Sequence, residues 1–205
     1  LVAPYINNWI NPNRSSPDVY NNCTSNPNVK PPLSFFGGQV PHSGSGFSGI
    51  VSYVLPNNNG REYIEGEISS SLSKDSIYCV NFFLSLAEQY HQPISQIGLY
   101  FSDTLIKLNT ATMPFTPQLQ SPSNQFFADE TNWMKWQQSY KAHGGEKYFI
   151  IGNFNGIANT KTIPPIVPFG DGRDSITYYY IDDVSLYADT SLAIKETVKE
   201  NSFTV

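Results

Sequence analysis

The clearest pattern along the chain is alternation. From Ile77 to Ala87, Tyr78, Val80, Phe82, Leu84 and Leu86 fall on one phase, while Cys79, Asn81, Phe83 and Ser85 fall on the other. Side chains two apart share a face of a strand, so this stretch predicts a long strand with an apolar core face and a mixed outer face. After a break at Glu88–Pro93, Ile97, Leu99 and Phe101 repeat the inward phase. Phe47–Tyr53, Arg61–Leu72, Trp133–Ala142, Tyr148–Phe154 and Tyr178–Leu186 read as further strands. Asn57-Asn58-Asn59-Gly60 supplies the positive-φ residues of a hairpin turn, and Gly144-Gly145 supplies another turn. Helical periodicity is almost absent before Leu192. About eight to ten strands with long, non-local connections predict an all-β jelly-roll β-sandwich rather than a hairpin meander.

The polar stretches between these strands are ordered loops rather than linkers. Residues 1–46 are rich in Asn, Pro, Ser and Gly, but Trp9, Tyr20, Phe35 and Phe36 recur where a disordered tail would lack aromatics. Thr112–Asn124 and residues 155–175 are long surface connections, a length at which loops are often functional. Trp133 and Trp136 lie three apart and so face opposite sides unless a bulge intervenes.

Composition narrows the function. Charged residues make up 14% of the 205 and aromatics another 14%, which suits a large apolar core under a neutral surface rich in amides and hydroxyls. A net charge of −5 and a pI near 5.1, with no polybasic stripe, argue against a nucleic-acid partner. No apolar run approaches the roughly 18 residues that span a bilayer, so membrane insertion is not expected. Cys23 and Cys79 allow one intramolecular disulfide or two free thiols, and neither sits in a metal-binding Cys/His cluster.

One stretch breaks the strand chemistry. Asp182 and Asp183 stand side by side between Tyr178-Tyr179-Tyr180-Ile181 and Val184-Ser185-Leu186, and acidic residues are depleted from strands. Either the pair marks a polar bulge at a strand edge, or a carboxylate reaches the sheet rim to hold a structural calcium ion. In the second case Asp18 is the best N-terminal ligand beside Asp182 or Asp183. Strict alternation would keep both aspartates from facing one ion.

Several segments carry a resemblance in the same order. Pro17-Asp18-Val19-Tyr20-Asn21-Asn22-Cys23, Pro41-His42-Ser43-Gly44-Ser45-Gly46-Phe47, Arg61-Glu62-Tyr63-Ile64, Ile97–Ser102, Trp133, Gly144–Phe154 and Tyr180-Ile181-Asp182-Asp183-Val184 resemble the N-terminal extracellular domain of large Bacteroidota surface proteins, OmpA-like ones among them. The closing strand is also similar to that of carbohydrate-binding modules with the galactose-binding-like jelly roll. The resemblance implies a secreted or outer-surface β-sandwich, often with one structural calcium, and no catalysis. It also implies that Trp133 is a core residue. Glu200–Val205 resembles the lead-in to the C-terminal sorting domain of type IX secreted proteins. The implied organisation is a binding domain over residues 1–189 and a linker over 190–205, joined to other domains of a longer chain.

Catalytic chemistry finds little support in the sequence. His42, His91 and His143 each lie in or beside a predicted turn, and no nucleophile elbow, metalloprotease helix or phosphate loop accompanies them. Carboxylate pairs for glycoside hydrolysis could be drawn from Glu62, Glu65, Glu67, Asp129, Glu130 and Glu146, as in any acidic β-domain. Sugar binding asks for less: an aromatic face for C–H stacking and amide, carboxylate or guanidinium partners around it. Trp136, Tyr100, Phe83, Arg61, Glu62 and Asn81 are candidates because most fall on the outer phase of their strands. The expected function is thus a non-catalytic carbohydrate-binding module for a polysaccharide or surface glycan. The alternative is an adhesion or structural domain.

Overall fold

The computed structural model describes residues 9–55 and 60–189. The expected turn at Asn57–Asn59 and the 190–205 linker, with its sorting-domain resemblance, lie outside the described residues.

Two antiparallel sheets face each other, as alternation requires of strands with one apolar face. Among the described residues, one sheet has the order β1 (Trp9–Ile10), β6 (Ile64–Glu67), β11 (Tyr148–Gly152), β8 (Gly98–Ser102), β9 (Leu119–Gln120). The other runs β10 (Met134–Lys141), β7 (Ile77–His91), β12 (Ile176–Ala188), β5 (Gly46–Val54), β2 (Asp18–Asn21). A small hairpin, β3 (Leu33–Ser34) and β4 (Gly37–Gly38), lies apart from both. This is the all-β jelly-roll sandwich that the alternation predicts.

The core sits between the sheets. Val80, Phe82, Leu84 and Leu86 of β7 meet Ile64, Leu99, Phe101 and Ile151 of the facing sheet in one buried cluster. The phase read from β7 and β8 is therefore the phase that is buried. Strand limits differ more. Only Ile64–Glu67 of the Arg61–Leu72 stretch is strand, whereas β7 runs through the expected break at Glu88 to His91, where it still pairs with Thr177.

Loops cover parts of both outer faces. The segment between β2 and β5 lies on the outer side of β12, with Phe36 stacked on Tyr178 at 3.9 Å, next to the cross-strand pair Tyr20 and Phe47, stacked at 4.8 Å. Gly49 lets the Tyr178 ring lie against the β5 backbone, since a Cβ there would stand 2.2 Å from the Tyr178 hydroxyl. On the other sheet, Ile106, Leu108, Met113 and Phe115 fold over Tyr63, Ile150 and Tyr100. What remains open is the β10 side of the second sheet. Cys23 is exposed and Cys79 buried, and both are free thiols.

Candidate functional site

Strand register builds the open face. In β10, β7 and β12, Lys135, Phe83 and Asp182 stand directly opposite one another, followed by Gln137, Asn81 and Ser185, and then by Ser139, Cys79 and Tyr187. Directly opposed residues of antiparallel strands project to the same side. Because Val80, Phe82 and Leu186 point into the core cluster, these rows point out. The result is a flat patch with amides at its centre, hydroxyls along one side, Lys135 and Asp182 at one end and Tyr187, 52% exposed, at the other.

The acidic end is shaped by an irregularity in β12. Asp182 pairs with Phe83 and Ser185 with Asn81, so Asp183 and Val184 together oppose the single residue Phe82. This is a β-bulge, and Asp183 adopts a φ of +49° within it. The extra residue cancels the alternation that would have driven the two aspartates apart. Both carboxylates now hold the segment that arrives from β4. Asp182 Oδ2 accepts the His42 N–H at 2.8 Å, while Asp183 accepts the Ser43 hydroxyl at 2.5 Å and faces His42 Nδ1 at 2.6 Å. The His42 ring lies on Phe83 with centroids 3.7 Å apart, and Trp133 meets that imidazole edge-on at 6.1 Å.

The two carboxylates titrate in opposite senses. Burial pushes Asp182 up despite its backbone donors. The hydrogen bond from His42, then that from Ser43, holds Asp183 below the usual carboxylate value. Behind them, where β12 leaves β5, the seam between the sheets opens into a cleft of about 400 Å³. Trp9 and Ile64 line it from one sheet, Asn21, Phe47 and Asp182 from the other.

The residues predicted from sequence divide. Phe83 and Asn81 lie on the outward phase beside Asp182 and Asp183, but the His42 ring covers Phe83 and Asn81 is only 8% exposed. Trp136 does not. It is 1% exposed in the inter-sheet core, stacked on Phe82 at 4.6 Å, and its indole N–H donates to Ile97 O at 3.1 Å. Trp133 is the outward member of the pair, packed with Phe47 and Tyr180 on the outer side of the sheet rather than in the core. Tyr100 faces outward from the other sheet, under Phe115 at 4.5 Å, so it cannot share a platform with Phe83. Arg61 is 1% exposed and also away from the face. Glu62 is half-buried, accepting the Val51 N–H at 2.9 Å and the Ser16 N–H at 3.2 Å. Asp18 accepts the Tyr178 hydroxyl at 2.8 Å, which separates its role from that of the β12 pair. Among the described residues no group of three or more His, Cys, Asp or Glu side chains could hold a metal ion, so Asp18, Asp182 and Asp183 do not make one donor set. Sequence reasoning missed Gln137, Tyr187 and His42. The first two share the phase of Asn81 or follow the bulge, whereas His42 arrives through a non-local loop.

No protein-family model matches the chain, and no curated protein matches it significantly. Solved structures do. The CBM22-1 xylan-binding domain of Xyn10C from Paenibacillus barcinonensis superposes with a TM-score of 0.44 at 10% identity, covering 88% of this chain and 85% of that one. The K3 cleaved adhesin domain of Lys-gingipain from Porphyromonas gingivalis superposes with a TM-score of 0.41 at 17% identity, covering 87% and 96%. The N-terminal cellulose-binding domain of β-1,4-glucanase C from Cellulomonas fimi gives 0.38 at 8% identity, covering 70% and 78%. No ligand or partner is carried over from them.

The groups that could do chemistry are otherwise engaged. Asp183 binds both His42 and Ser43, so the serine hydroxyl donates to the acid instead of to a histidine base, the reverse of a nucleophilic relay. His91 is 2% exposed between Glu130 Oε1 at 3.0 Å and Asp174 Oδ1 at 3.1 Å. Glu146 accepts the Tyr140 hydroxyl at 2.7 Å and the amides of His143 and Gly144, fixing the Gly144-Gly145 turn. Asp129 caps the amides of Thr131 and Asn132.

Proposed function

We propose that the chain is a non-catalytic carbohydrate-binding module that takes a polysaccharide or surface glycan on the open face of β10, β7 and β12. The observation that carries this reading is the in-register outward set of Gln137, Ser185 and Tyr187, with Asn81, 8% exposed, between Gln137 and Ser185. Sugar hydroxyls need amide and hydroxyl partners at strand spacing, and sugar C–H faces need aromatic edges beside them. A flat sheet face suits an extended glycan chain, since strand-to-strand spacing places several polar groups along it without a deep pocket. The Bacteroidota outer-surface setting, type IX export and attachment to further domains belong to the same proposal and come from the sequence resemblance. The structural calcium implied by that resemblance is a separate proposal.

A second reading is favoured by one observation. Leu33 and Phe35 are 74% and 61% exposed, and Ile166 and Val167 74% and 73%, more than a glycan face needs. Such side chains suit adhesion to a protein.

A pull-down on insoluble polysaccharides, paired with a glycan array, tests the first reading. Saturable binding that Asn81→Ala and Gln137→Ala weaken in a folded protein supports it. Absence of binding to every glycan from folded protein overturns it in favour of protein adhesion.

A further inference from the structure

The outward phase of β10 carries a row of polar side chains with a cation towards each end. Trp133, Lys135, Gln137, Ser139 and Lys141 alternate with Met134, Trp136, Gln138 and Tyr140, and Trp136 and Tyr140 belong to the inter-sheet core. The first set therefore lines the outer side. Lys135, Gln137, Ser139 and Lys141 are all exposed. Trp133 is half-buried beside them, its indole N–H donating to Val40 O at 3.0 Å. Among the described residues β10 ends its sheet, so the row runs along the rim of the open face.

Two ammonium groups thus bracket an amide and a hydroxyl. Six steps at strand spacing place Lys135 and Lys141 roughly 20 Å apart, a span that covers several units of an extended glycan. The acids of the same face leave this row positive. Asp182 lies two strands from Lys135, across Phe83, and its Oδ2 accepts the N–H groups of His42 and Ser43 at 2.8 and 3.3 Å. Asp189 lies two strands from Lys141, its N–H donating to Ile77 O at 2.8 Å. Asp75 does touch the row, pairing with Lys141 at 3.0 Å. Those two side chains are 65% and 63% exposed, and a pair so open to water is weak enough to exchange for another anion.

We propose that the glycan taken by the open face is an anionic polysaccharide. Its charged groups meet Lys135 and Lys141, while Gln137 and Ser139 bond the hydroxyls between them. The inference rests on the glycan reading above and narrows it to a substrate class. A lysine ammonium is a compact point charge that takes a carboxylate or a sulfate alike, so the two are tested apart. The whole chain carries a net charge of −5, so the attraction is local to this row and fades as salt screens it. Lysines on an edge strand also discourage pairing with another sheet, and the test separates that role.

Titration calorimetry with polygalacturonate, dextran sulfate, arabinoxylan and hydroxyethyl cellulose, at low ionic strength and again with added sodium chloride, tests it. An anionic polymer binds about tenfold tighter than the neutral ones, the gain expected of two exposed ion pairs, and salt removes the difference. Preference for polygalacturonate identifies a carboxylate, and preference for dextran sulfate a sulfate. Lys135→Gln combined with Lys141→Gln abolishes the preference. Lys107→Gln, at an exposed position on the loop over the opposite sheet, leaves it intact. Neutral polymers bound as tightly as anionic ones, with Gln137→Ala weakening both, overturn the inference and keep the glycan reading. No binding to any polymer by folded protein overturns both. An anionic preference that Lys107→Gln lowers as much as the double variant does is a property of overall charge and overturns the inference. So does a double variant that self-associates yet keeps the preference, since the lysines then serve only to protect the edge.

Discussion

His42 lies flat on Phe83, with ring centroids 3.7 Å apart and planes 20° apart, and its Nδ1 is held at 2.6 Å by Asp183. The contact makes the bulge acid a fastener for a loop that has no strand of its own at that point. Asp183 is held below the ordinary carboxylate value by His42 and Ser43, so the folded state keeps it ionised at a pH where the unfolded chain takes up a proton. Its contribution is complete above the unfolded value and is lost as pH falls through the folded one. Urea unfolding of the parent protein should therefore show stability declining at acid pH, and Asp183→Asn should reduce that decline.

Glu65 acts in the opposite sense. It is fully buried beneath the 103–118 segment, with Oε1 accepting the Ile106 N–H at 2.9 Å and Oε2 without a partner among the described residues. Burial pushes it up to about 7. The folded state binds this proton more tightly than the unfolded chain, so its favourable contribution is whole below the ordinary glutamate value and is lost as pH rises through about 7. Glu65→Gln should flatten stability between those limits, an effect of up to about 3 kcal/mol by the size of the shift. Equilibrium unfolding across that range checks it.

Trp136 and Gln137 are sequence neighbours with opposite duties. Trp136→Ala removes a core side chain packed on Phe82 and should cost about 3–5 kcal/mol. Gln137→Ala changes an exposed position of the patch and should move stability by no more than about 0.5 kcal/mol. The latter should nonetheless weaken glycan capture. Melting curves and pull-downs on both variants separate the effects.

The Asp182 and Asp183 oxygens already accept protein donors from His42, Ser43 and the Asp183 amide. The structural calcium proposed from the resemblance requires a chelator to lower the melting temperature, and an unchanged melting temperature would leave the carboxylates with their protein donors and overturn it. A fall that calcium restores would show that these carboxylates exchange their donors for an ion.

Much of the fold could be read from periodicity. Alternation in Ile77–Ala87 and in Ile97–Phe101 assigns the buried phase correctly, because one face of each strand must leave water. Trp133 and Trp136 show the limit. Their spacing separates them, but either could have been the buried one, and the decision came from Phe82 of β7 and Ile97 just before β8. The bulge was legible in a way the adjacent acids obscured. Tyr179 and Ile181 are inward at odd positions, Val184 and Leu186 at even ones, and only an inserted residue can switch the parity. His42 on Phe83 and Phe36 on Tyr178 could not be anticipated, since both depend on where a long Asn/Pro-rich loop lands.

That parity switch makes the second aspartate dispensable to the sandwich. With one residue fewer between Asp182 and Val184, the strand would run on regularly, with Ile181, Val184 and Leu186 still inward and Ser185 and Tyr187 still outward. A one-codon deletion at Asp183 is therefore expected to keep the core phase and to erase only the bonds to the His42 ring and the Ser43 hydroxyl, Asp182 retaining the His42 N–H. The domain carries a locus where the grip on its covering loop can be weakened or strengthened without a change in the phase of the frame beneath it.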